Sequence, residues 1–200
     1  MKTIISGLIA SVLVMGSISA QADEPYLIPL VPNHVGLTAK KYPSLCWMLP
    51  KRPPTAERIT FTLRDDQSVK SILEAELLPS SILNAKQRTC HCVNLKEYDV
   101  QLEPNVQYKW FIAIIQSSES LSGDILAGGM IERCEFQDCM VFYESWGCNE
   151  NEVISLARSG LWYDSISCIC DLLKANPDNE QLRRILDRLM KDTGIILVDP

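Results

Sequence analysis

The sequence predicts an α+β protein, an antiparallel β-sandwich followed by a short C-terminal helical bundle. Three observations predict it. Between Asn94 and Ile115, two apolar-patterned segments flank the turn Glu103-Pro104-Asn105. Arg58–Arg64 and Ile125–Arg133 have the residue types and period of further strands. From Cys134 onward, the spacing of apolar residues changes from that of a strand to that of a helix.

From Tyr98 to Leu102 the side chains alternate, with Tyr98, Val100 and Leu102 on one face and Asp99 and Gln101 on the other. That is the period of a half-buried strand. Pro104 fixes φ and removes a donor where the ladder is expected to stop. In the next strand Tyr108, Trp110, Ile112 and Ile114 share one face, and Phe111, Ala113 and Ile115 share the other. A strand apolar on nearly both faces is expected inside a layered structure. Leu102 followed by Tyr108, with a proline between, resembles the tyrosine corner of immunoglobulin-like and fibronectin type III sandwiches. In that corner the phenol hydroxyl returns to a backbone carbonyl upstream. An ordinary hairpin with a buried tyrosine is the competing reading, and both leave a β-domain standing.

The chain begins with Lys2, an apolar run to Val14 and small residues ending Ala20-Gln21-Ala22. This describes a secretory signal peptide over 1–22, with cleavage after Ala22 and Ala20 as second choice. Residues 23–34, rich in proline, are expected to be an extended lead-in, and 35–134 the sandwich. Val35 to Thr38 suits a short first strand. Leu45 to Leu49, held between Pro43 and Pro50, suits a buried one with Trp47 at its centre. Ile59, Phe61 and Leu63 face inward on the next. Val69 to Leu77 is assigned to strand against a helical competitor, because the elements around it need a paired neighbour. Pro79 to Thr89 is loop with room for a helical turn, and Gly128-Gly129 is expected to form a bulge in the last strand.

Residues 135–195 are expected to form the bundle, and 196–200 a tail. Asn149 and Glu152 make a capping-box pattern, and Gly160 is a natural residue after a helix end. A looser helix is placed at Phe136 to Tyr143. Trp162, Ile166, Ile169 and Leu173 form one stripe of a second clear helix. Leu182, Ile185, Leu189 and Met190 form another, begun near Asp178 and Gln181 and stopped at Gly194. Gly160-Leu161-Trp162-Tyr163-Asp164 followed by Asn176-Pro177 looks like part of a tetratricopeptide-type repeat. So short an array cannot bury a core alone, so the helices must lean on the sandwich or a partner.

The formal charge is −6, with acidic residues scattered along the chain. This argues against binding a phosphate backbone, so no nucleic-acid partner is expected. After the leader no segment is apolar for long enough to cross a bilayer. Eight cysteines, Cys46, Cys90, Cys92, Cys134, Cys139, Cys148, Cys168 and Cys170, favour disulfides in an exported chain. Cys90–Cys92 and Cys168–Cys170 are too close in sequence to pair internally. A local bridge among Cys134, Cys139 and Cys148 is the expected one, with Cys46 a buried thiol.

Candidate chemistry is sparse. Cys90-His91-Cys92 has zinc-ligand residue types but no matched second pair. A Cys-His nucleophile pair would need His34 or His91, and His34 follows a proline-rich stretch and is expected to be exposed. No phosphate-cradling glycine loop and no metalloprotease or hydrolase motif is present. The sequence therefore implies no catalytic residue, cofactor or metal. Arg133, Trp162, Tyr163 and Asp164 form the main polar-aromatic set. An Arg133–Asp164 pair is expected to clasp sandwich to bundle, with a ligand site as the competing reading, while Leu102 and Tyr108 form the structural corner.

Gly36-Leu37-Thr38, Tyr42-Pro43-Ser44, Trp47, Leu49-Pro50, Phe61-Thr62-Leu63, Leu78-Pro79, Tyr108-Lys109-Trp110, Ile131-Glu132-Arg133 and Gly160-Leu161-Trp162-Tyr163-Asp164 occur in that order. With these motifs the chain resembles an uncharacterised bacterial family, domain of unknown function 928, frequent in cyanobacteria. The resemblance covers Pro29 to Gly194. It departs in the eight cysteines, and in Cys46 where an aromatic residue is usual. Membership implies an exported or periplasmic protein and supplies no activity. The expectation is thus a non-catalytic exported module that binds a protein partner or the envelope. The alternatives are a ligand-binding protein or enzyme with its site between sandwich and bundle, and a redox-responsive cysteine protein.

Overall fold

The computed structural model describes residues 25–53, 56–116, 124–135 and 147–193. In chain order these form β1 (Ile28–Pro29), β2 (Gly36–Thr38), β3 (Ser44–Met48), β4 (Arg58–Asp65), β5 (Ser71–Leu77), α1 (Pro79–Leu83), β6 (Cys90–Asn94), β7 (Gln107–Ile115), β8 (Ile125–Arg133), α2 (Glu150–Arg158), α3 (Trp162–Ala175) and α4 (Glu180–Asp192). The strands make two sheets, β1-β3-β6 and β2-β8-β7-β4-β5. Pairing is antiparallel except that β2 runs parallel to β8.

Alternation along the strands decides what each face meets. Leu45, Trp47 and Val93 of the small sheet join Ile59, Phe61, Leu63, Trp110, Ile112, Ile114 and Ile131 of the large sheet in one buried cluster. Each such side chain contributes roughly 1.5–3 kcal/mol by leaving water. The opposite face of the small sheet carries Cys46, Met48 and Cys90, which join Ile166, Ile169 and Cys170 of α3 in a second cluster. The small sheet is therefore a middle layer, apolar on both sides. That explains the unbroken apolar run from Leu45 to Leu49.

Local chemistry sets the helix ends. The Asn149 side chain accepts from Glu152 N–H at 3.1 Å, and Gly160 takes φ +77 just past the end of α2. Tyr163 through Cys170 are all buried, because α3 lies between the small sheet and the other two helices. The α4 helix is capped by Asn179, whose side chain accepts from Gln181 and Leu182 N–H, rather than by Asp178. Leu182, Leu186 and Met190 are its buried residues, with Ile185 and Leu189 packed at the margin. The looser helix expected at Phe136 to Tyr143, and the stop at Gly194, lie outside the described residues.

Four expectations are corrected. Tyr98 to Leu102 is not a strand: Asn94 caps a single 3-10 turn over Leu95–Tyr98, and Asp99 follows at φ 52. The strand that feeds the corner is β6, since an asparagine offering its own side-chain acceptor to the backbone ends a ladder early. The Tyr108 hydroxyl accepts from Glu103 N–H at 3.0 Å instead of meeting a carbonyl. The lead-in contributes strand β1, paired through Ile28↔Met48 and Pro29↔Trp47.

Gly128-Gly129 forms no bulge, the fourth correction, since β7–β8 pairing runs unbroken through Trp110↔Gly129 and Phe111↔Gly128. The two glycines instead permit close approach. A Cβ at Gly128 would stand 2.0 Å from the Trp110 carbonyl oxygen, and one at Gly129 would stand 2.5 Å from Val31 Cγ1. Backbone yields less readily than the end of a valine side chain. Gly128→Ala is therefore expected to destabilise the fold more than Gly129→Ala, by about 2–3 kcal/mol against about 1 kcal/mol. Chemical denaturation of both variants measures the order.

Candidate functional site

Two groups of residues merit the description, and the first is the junction between sheets and helices. Tyr163, in the first turn of α3, reaches between the two sheets. Its hydroxyl accepts from Trp110 Nε1 at 2.9 Å and donates to the Met130 carbonyl at 2.9 Å. Burial holds this phenol protonated, well above its ordinary pKa, and the Trp110 N–H offsets part of that. Next to it, Asp164 is 1% exposed. Its carboxylate accepts from Thr38 Oγ1 at 3.0 Å and Ala39 N–H at 2.8 Å, with Lys40 Nζ 3.9 Å away. Burial raises the Asp164 pKa. Lys40, the Ala39 amide and the Thr38 hydroxyl pull it back, in that order. Trp162 donates from Nε1 to the Leu30 carbonyl at 3.0 Å.

Arg133 does not pair with Asp164. Its Nη1 donates to the Leu102 carbonyl at 2.9 Å, so it serves the corner. The reason is topological. Short β2 pairs with the end of β8, in register Thr38↔Arg133, and its end supplies the groups that meet Asp164. Thr38, Ala39 and Lys40 were therefore missed. A threonine ending a three-residue strand carries no sequence signal for a partner 126 positions away.

The second group is made of sulfur. Cys46 and Cys92, register partners on β3 and β6, form a disulfide, and Cys148 and Cys168 form another. Cys134 is also disulfide-bonded. Cys148 thus ties the start of α2 to α3 and does not join the expected local bridge. Cys139 lies outside the described residues. Cys46 is not a free thiol; Cys90 and Cys170 are, and both are buried. The Sγ atoms of Cys46, Cys92 and Cys170 lie within 4.8 Å of one another. Burial pushes the Cys170 thiol pKa well up, and neighbouring Cys90 raises it further.

Cys90-His91-Cys92 splits across the strand. Cys90 and Cys92 face α3, whereas His91 sits with Val93 on the other side, its ring 6.0 Å from that of Trp47. Burial first, then Lys174, lowers the His91 pKa to about 4, so the ring is neutral at pH 7. A groove of about 450 Å³ opens here, lined by Trp47, Glu76, His91, Cys92, Tyr98 and Lys174. A second groove, of about 520 Å³, runs between α2 and the end of α4 past Arg158, Trp162, Arg188 and Asp192. His34 lines it and is exposed.

The hydrogen bonds at the junction generate a paired expectation. Tyr163→Phe leaves Trp110 N–H and the Met130 carbonyl without this partner, and Asp164→Ala does the same to Thr38 and Ala39. Each is expected to cost about 2–3 kcal/mol in chemical denaturation. The raised Asp164 pKa means that the folded state keeps this proton to higher pH than the unfolded state. Stability should therefore fall as pH rises from the ordinary carboxylate range through the raised value. Asp164→Asn should lack that slope.

No curated protein matches the chain. The model of one family, described as Domain of Unknown Function (DUF928), matches residues 15–198, spanning both groups and both sheets. The chain belongs to that family.

Proposed function

We propose that this is an exported, non-catalytic protein that binds an extended segment of a partner protein along the edge strand β5. The carrying observation is where exposed apolar side chains gather. Among the described residues six large hydrophobic side chains are exposed, and Val69, Ile72 and Leu78 of these belong to β5 and its two flanks. Among the described residues β5 pairs only with β4, so its outer edge offers backbone donors and acceptors to an added strand. Ile72, Glu74 and Glu76 alternate as the exposed residues of β5. A complementary segment would carry basic side chains opposite the two glutamates and an apolar one opposite Ile72.

Other features support the reading. Paired cysteines suit an oxidising compartment, in keeping with the leader-like start of the chain. The order β1-β3-β6 against β2-β8-β7-β4-β5, with Tyr108 at the start of β7, favours an immunoglobulin-like sandwich, a class that often presents edges and loops to partners. The ligand-site alternative at the sandwich–helix junction has less support. The Trp162, Tyr163 and Asp164 polar groups there are all engaged within the chain.

Site-specific photocrosslinking in the native envelope tests this. A crosslinker at position 72 or 78 should capture one discrete protein, and a crosslinker at exposed Ile154 on α2 should not. The triple substitution of Val69, Ile72 and Leu78 by Lys should abolish the adduct at a second β5 position, with the melting temperature unchanged. Equal capture from positions 72 and 154, or an adduct that survives the triple substitution, would overturn the proposal.

A further inference from the structure

We propose that reduction of the Cys46–Cys92 disulfide creates a buried thiolate site for one thiophilic d10 metal ion, zinc or cuprous copper, held by Cys46, Cys92 and Cys170 and completed by Cys90. Three sulfurs from three elements (β3, β6 and α3) already lie within 4.8 Å of one another. Sulfurs around a tetrahedral zinc stand roughly 3.8 Å apart, given a Zn–S bond of about 2.3 Å. Small side-chain rotations thus bring the set to coordinating distance once the S–S bond opens. Cys90 lies two residues from Cys92 on the same face of β6 and, like Cys170, is a buried free thiol. A helix pressed on a sheet holds all four, the rigid support that a metal site requires.

The set of donors points to the ligand class. Thiolates select zinc and cuprous copper over hard cations. Three of the four sulfurs are shielded from solvent, with Cys46 and Cys170 fully buried and Cys90 at 4% exposure. Buried thiols resist ionisation in isolation, but a bound cation deprotonates its thiol ligands outright. His91, on the other face of β6, is outside the set.

Chemical balance is simple. An incoming dithiol donates two electrons and two protons, and its own sulfurs join in a disulfide. The Cys46–Cys92 bond breaks and each sulfur takes a proton. Metal binding then releases up to four protons, one from each cysteine that coordinates. Cys92 is half-buried in the groove beside Trp47 and Lys174, which gives both reductant and ion a route in.

The test uses the full mature chain, reduced anaerobically with a phosphine, desalted, and titrated with zinc or with cuprous ion against a colorimetric chelator. One equivalent of at least one ion is expected to bind to the reduced chain and none to the oxidised chain, and the arm that competes better identifies the metal. Cys170→Ser should weaken binding by about 100-fold or more, and Cys148→Ser should leave this site unchanged. Where a serine variant fails to fold, alkylation mass mapping of the wild type gives the answer. The ion should protect Cys46, Cys90, Cys92 and Cys170 and leave Cys148 and Cys168 reactive. The proposal is overturned if the reduced chain unfolds or binds neither ion, if Cys170→Ser binds like wild type, or if protection falls on Cys148 and Cys168. Rapid closure of a Cys90–Cys170 disulfide in place of metal uptake would overturn it too.

Discussion

One phenol holds the layers together. The hydroxyl of Tyr163 leaves its helix, passes between the two sheets and closes a chain from the Trp110 indole to the Met130 carbonyl. The Trp110–Tyr163 bond is buried and the bond to Met130 partly so, and leaving a buried partner unmet carries its desolvation penalty. The position of α3 is thereby set against β7 and β8 at once. Asp164, one residue on, repeats the device at the end of β2. Gly129 belongs to the same constraint: a side chain there would press on Val31 and come 3.2 Å from the Tyr163 hydroxyl.

Much of this was legible where a segment's own period agreed with its environment. Ile59, Phe61 and Leu63, like Tyr108, Trp110, Ile112 and Ile114, alternate because one face of each strand is core. Asn149 and Gly160 marked the ends of α2 through chemistry local to the backbone. Illegible features were those decided by distant partners. Ile28–Pro29 is a strand only because Trp47 and Met48 lie beside it. Tyr98 to Leu102 alternates over five residues, too few to outweigh the Asn94 cap that turns the backbone away. Thr38 gains its importance from Asp164, and Cys170 from Cys46 and Cys92, through contacts that no spacing encodes.

The cysteines show the same division. That Cys90 and Cys92 would not bond to each other followed from strand geometry, since residues two apart share a face at too great a separation. Which sulfurs meet depended on β3 and β6 being neighbours and on α3 lying across them. The middle sheet thus carries two environments in five residues of β3. Leu45 and Trp47 enter a hydrocarbon core, and Cys46 and Met48 enter a sulfur-rich one.

The Trp110–Tyr163 bond also bears on the order in which the molecule matures. Its partners are 53 positions apart, and the strands on either side of Trp110 precede the helix that satisfies it. As the polypeptide is synthesised N-terminus first, the described strands are all made before α3, which covers the Trp110 indole N–H and one face of the small sheet. The C-terminal helices therefore complete a core whose described strands are all encoded ahead of them.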